Sequence, residues 1–235
     1  MTPPPAPPRC ARIRRVRDAL AAVIVAAPFD PAARATLDDL AAVLAGRPLD
    51  AAARARLAAL PALVRLAPDA KRVELPVALE PERAALAARV LCARRLLDGG
   101  AGGAPDAAGG DALGAGLDWA GRLFAAGLFF EVHEVLEPLW RERVGTERRA
   151  LQGIIQLAVA FHHLLHGNPA SAATLFGAAR TKLAAGPAPP GGVDVPALLA
   201  ATGPWEARAR AGEGWTDALA LPRLRGSGGD PPPGR

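Results

Sequence analysis

The chain has 235 residues, a formal net charge of +5 and 51% apolar residues, enough for one ordinary domain with extensions or for two small ones. Its 24 prolines and 25 glycines concentrate outside the central region, so the foldable part is shorter than the chain. Cys10 and Cys92 stand alone, which excludes a disulfide framework and a cysteine-built zinc site and fits a reducing cytosol; no apolar run reaches the roughly 18 residues of a membrane span.

The positive charge is almost wholly arginine, scattered among Asp and Glu on helical faces. Without an aromatic-plus-basic signature it reads as a solvated surface rather than a nucleic-acid footprint.

Residues 1–9, MTPPPAPPR, form a proline-rich tail expected to be disordered. Arg12, Arg14, Arg15 and Arg17 then precede the short apolar run Ala19 to Ala27, which resembles an export signal. Asp18 interrupts it, and Ile13, Val16, Leu20, Val23 and Ile24 recur at helical spacing, so an amphipathic first helix is the better reading. Asp30-Pro31 and Asp50 start the next two helices, Pro61 interrupts the second of these, and Glu80-Pro81 restarts a fourth through Leu97. Val73 to Leu79 suits a short extended piece, although Pro76 argues against any central strand. Residues 10–98 thus form an N-terminal helical region, and 99–112, GGAGGAPDAAGGDA, a flexible linker.

Residues 113–205 are expected to be the helical core domain. A short helix runs to Ala126, Gly127 breaks it, and FFEVHEVLEPLWRER follows. The next helix contains ALQGIIQLAVAFHHLLH, apolar around about three quarters of its circumference, which requires enclosure by other helices. Gly167 stops it, Asn168-Pro169 caps the helix carrying Leu175, Phe176, Ala179 and Leu183, and a last helix spans Asp194 to about Ala201 with Trp205 packed nearby. Residues 206–235 read as an irregular to disordered tail. The fold class is therefore all-α, a compact helical bundle with an additional N-terminal helical region.

Chemistry concentrates on two of these segments. On the apolar helix Gln152, Gln156 and His163 fall within roughly 40° of one another, and buried polar groups need partners. On the segment before it, Glu131, His133, Glu134 and Glu137 share the arc opposite Val132, Val135 and Leu136. Three carboxylates in seven residues repel unless cations lie close; these are either arginines (Arg141, Arg148, Arg149) or a divalent metal held by Glu131, His133, Glu134 and His163 with Gln156. His133-Glu134-x-x-Glu137 is not the zinc-protease HExxH, and the di-iron Glu-x-x-His is absent because Phe130 stands three before His133. Ion pairs that only fix how two helices pack explain the same residues. His162 points toward Ile155 and Leu151 as a packed or rim histidine, and His166 sits where the helix dipole favours a cation. Trp140 packs as core with its indole N–H on an acceptor. Ser171 and Thr174 belong to a first turn, and no nucleophile stands out.

LFAAGLFFEVHEVLEPLWR, LQGIIQLAVAFHHLLHGN and the helix with Ala172, Ala173 and Leu175 resemble domain-of-unknown-function family 309, mainly bacterial all-helical proteins, over about residues 117–200. The resemblance points to Phe130, Glu131, His133, Glu134, Glu137, Trp140, Gln156, His163, Gly167 and Asn168; Ala126 and Pro138 depart from its pattern. It implies a compact helical domain whose acidic and histidine groups belong to one site, and it assigns no reaction.

Two functions follow as expectations. One is a site for a divalent metal or small polar ligand, walled by Glu131, His133, Glu134, Glu137, Trp140, Gln156 and His163, with Glu134 or His133 as general base in any hydrolysis. The other is a non-catalytic structural or interaction module, a homodimer or the partner of another protein, in which these residues only cross-link helices.

Overall fold

The computed structural model describes residues 9–67, 72–99, 112–186 and 192–224. Most of the tail at 1–9, the end of the chain from Gly226 and most of the glycine-rich stretch at 99–112 lie outside them. The described residues form nine α-helices and one two-residue strand pair, an all-α protein. The chain divides into two compact units at Gly99 and Gly100, inside that glycine-rich stretch.

The first unit holds α1 (Arg9–Ala26), α2 (Pro31–Leu44), α3 (Ala51–Ala58) and α4 (Arg83–Asp98). Asp30 and Asp50 cap α2 and α3 by accepting from the amides of Ala32 and Ala53, at 2.8 and 2.7 Å. Strand β1 (Arg65–Leu66) pairs antiparallel with β2 (Val73–Glu74), and a 3₁₀ turn over Val77–Glu82 leads into α4. The extended piece is thus only two residues long, and Pro76 closes it by withholding an N–H from the ladder. Leu20, Ile24, Leu37, Leu57, Leu79 and Val90 supply the core. Arg34 to Asp98 and Arg94 to Asp38 tie α2 to α4 across their exposed flanks.

The second unit is built from α5 (Ala112–Ala125), α6 (Phe129–Arg141), α7 (Gly145–Leu165), α8 (Pro169–Ala184) and α9 (Val195–Arg210). Successive helices pack on one another, as short turns require. Gly127 and Gly167 make two of those turns with φ of +75° and +73°, a region side chains with a Cβ seldom enter. Asn168 then accepts from the Ser171 amide at 3.1 Å and Pro169 opens α8.

Phe161 of α7 sits at the centre, fully buried. Its ring centroid lies 5.2 Å from Phe124, 5.3 Å from Phe129, 5.0 Å from Phe176 and 5.4 Å from Trp205. Residues after α9 fold back onto this cluster. Trp215 packs with its ring tilted 33° and 4.8 Å from Trp205, whose indole donates to the Ala220 carbonyl at 3.0 Å, and Leu224 is buried. The last helix extends nine residues beyond the expected stop near Ala201, through Pro204, because Trp205 and Glu206 are held by the core.

Close approach of α7 and α8 depends on Gly153. A Cβ there would stand 2.7 Å from Leu183 Cγ and 3.4 Å from the Ala179 carbonyl oxygen. Gly153→Val is therefore expected to lower stability by about 1–3 kcal/mol, the usual penalty of overpacking. Denaturant unfolding with an unchanged midpoint would show that the helices can separate without loss.

Candidate functional site

The inner and outer faces of α6 differ sharply. Phe129, Val132, Val135 and Leu136 are buried, and so is Glu131, only 1% exposed. His133, Glu134 and Glu137 lie half-buried on the other face. Residues one turn apart on a helix are neighbours, so His133 and Glu137 meet by construction.

His133 has a carboxylate beside each ring nitrogen. Nδ1 lies 2.9 Å from Glu134 Oε1, and because a carboxylate only accepts, Nδ1 carries the proton. Nε2 lies 3.7 Å from Glu137 Oε2. The second Glu137 oxygen accepts from Arg141 at 2.7 Å. Donor atoms of His133, Glu134 and Glu137 all come within 4.8 Å of one another, as ligands of one ion must. Pro138 lacks the N–H that would bond the Glu134 carbonyl, so that oxygen is also released from the helix ladder.

Among the described residues, the hydrogen bonds and ion pairs of these three side chains stay within α6. None reaches Gln156 or His163 on α7. Gln156 keeps its side-chain oxygen buried without a hydrogen-bond partner, and the half-buried ring of His163 lies 6.2 Å from that of His162. The expectation for Trp140 is corrected: its indole Nε1 is buried and finds no acceptor among the described residues. The neighbour supplied is Arg148, 4.1 Å over the ring face, and a guanidinium has only donors.

His162 is half-buried on α7, as expected of a rim histidine. Its ring lies 6.0 Å from Phe130 of α6 and 4.2 Å from His166, while Phe130 is also 6.1 Å from His133. All four histidines of the chain therefore lie along one run of ring contacts. The signal for His162 with His166 was their i,i+4 spacing, which reading each residue separately overlooks.

These features define an all-helical domain with a histidine-carboxylate cluster on one helix of its bundle. Residues 117–175 match the family model described as domain of unknown function DUF309. The match runs from α5 into α8 and takes in all four histidines. No curated protein and no solved structure matches the chain. No helix among the described residues is long and apolar enough to cross a membrane.

Proposed function

We propose that the helical domain binds a divalent metal ion on α6, through His133 Nε2 and the Glu137 carboxylate, with Glu134 orienting the imidazole. The supporting observation is the approach of His133, Glu134 and Glu137 donor atoms within 4.8 Å. A carboxylate on the far imidazole nitrogen fixes the tautomer and raises the basicity of the metal-facing nitrogen, the usual outer-shell arrangement of a histidine ligand. The 3.7 Å between Nε2 and Oε2 suits two ligands each about 2 Å from a shared ion. The family resemblance also points to Glu131, Trp140, Gln156 and His163, of which Glu131 is buried on the inner face of α6.

A second reading is favoured by Arg141, whose 2.7 Å bond already neutralises Glu137. There the cluster is a half-solvated ionic face of a structural or interaction module, and each charge is satisfied by the next.

Zinc content decides between them. Tag-free, full-length protein is stripped with chelator, reloaded with Zn²⁺, desalted and analysed for metal. His133→Ala is expected to remove one zinc equivalent while leaving the far-ultraviolet dichroism unchanged, since the side chain is 28% exposed. Equal zinc in both proteins, or none in the wild type, overturns the metal reading and leaves the ionic face.

A further inference from the structure

We infer that His162 and His166, at the C-terminal end of α7, form a second metal site, an imidazole pair selective for Ni²⁺ and Cu²⁺ over Mg²⁺ and Ca²⁺.

The pair is arranged before any ion arrives. His166 is the residue that closes α7, and its backbone N–H bonds the carbonyls of His162 and His163 at 3.2 Å each. Its ring Nδ1 also lies 2.8 Å from the His162 carbonyl oxygen. A carbonyl cannot donate, so Nδ1 is the donor, and in the neutral imidazole Nε2 is the nitrogen open to an ion. A backbone carbonyl on the far nitrogen is again the outer-shell contact that orients a metal-binding histidine.

The two rings stand 4.2 Å apart, centroid to centroid, with their planes 41° apart. An ion about 2 Å from one nitrogen of each ring brings two cis imidazole centroids to roughly 4–5 Å, so the observed spacing needs little adjustment. Near-right-angle cis ligation is the geometry of tetragonal Cu²⁺ and Ni²⁺, and imidazole without carboxylate disfavours the hard cations. The aligned carbonyls at a helix C-terminus carry partial negative charge, which favours a cation there. His166 is exposed, so an ion can reach it from solvent.

This site shares no residue with the α6 cluster and stands or falls separately from it. The test uses full-length, tag-free protein in a His133→Ala background, which removes the α6 imidazole. Ni²⁺ titrated calorimetrically is expected to bind at one equivalent, and adding His166→Ala is expected to weaken that binding at least tenfold. Cu²⁺ loaded at one equivalent should show two nitrogen ligands by electron paramagnetic resonance before the second substitution and one or none after it. Failure of the His133→Ala protein to bind Ni²⁺, or equal affinity with and without His166, overturns the proposal, as does a copper spectrum with a single nitrogen before His166 is replaced.

Discussion

Phe161→Ala should destabilise the second unit by about 3–5 kcal/mol, the largest loss expected from any single substitution in it. The side chain is fully buried, and four aromatic rings lie within 5.4 Å of its centroid on α5, α6, α8 and α9. Truncation removes the transfer energy of a phenyl ring and leaves a cavity whose walls are held by four different helices. Those walls cannot all collapse inward, so the cavity penalty adds to the transfer term. Three of the four contacts with these rings are edge-to-face, each contributing about 0.5–1.5 kcal/mol beyond buried area. All four tryptophans of the chain, at 119, 140, 205 and 215, belong to this unit, so tryptophan fluorescence in urea reports on it alone. Phe130→Ala is the control: half-buried on α6, with its ring 6.1 Å from His133 and 6.0 Å from His162, it should shift the midpoint much less. Similar midpoints for the two variants would mean that Phe161 is not the keystone its ring contacts imply.

Phe161 was legible as core, because it repeats with Ile154, Leu157, Ala158 and Leu164 at helical spacing. The turns at Gly127 and Gly167 and the caps at Asp30, Asp50, Asn168 and Asp194 were legible for the same reason: each depends on chemistry within three or four residues. What escaped depends on distant partners. Thr202-Gly203-Pro204 carries the local marks of a helix end, yet α9 continues because Trp205 packs on Phe161, 44 positions earlier in sequence by their numbering. Trp215 and Leu224 have no periodicity at all and pack because the cluster offers them a surface. At the candidate site the sequence brought out His133, Glu134 and Glu137 because their proximity follows from helix spacing alone. A wheel for α7 could not show that Phe130 of the facing helix lies beside His162, nor that Arg148 covers Trp140.

Replacing both arginines that serve Glu206 should harm the protein more than replacing Glu206 itself. The Glu206 side chain is 4% exposed; Arg180 of α8 meets Oε2 at 2.7 Å and Arg210 meets Oε1 at 2.5 Å, while the two arginine side chains are 42% and 64% exposed. The desolvation burden therefore falls on one side of the pair. In Glu206→Ala the two guanidinium groups are left in reach of water, and the loss should be only about 1–2 kcal/mol, from packing and two hydrogen bonds. In Arg180→Ala with Arg210→Ala a carboxylate stays enclosed between α8 and α9 without a counter-charge, a situation that costs about 3–5 kcal/mol in buried pairs. The same logic gives a sharper result for the triple variant. Adding Glu206→Ala to the double arginine variant removes the stranded charge, so the protein should regain stability by losing a further side chain. Urea midpoints of the wild type, the single, the double and the triple variant test the whole scheme. A triple variant less stable than the double would mean that Glu206 contributes through packing rather than charge, and that α8 and α9 are joined by shape alone.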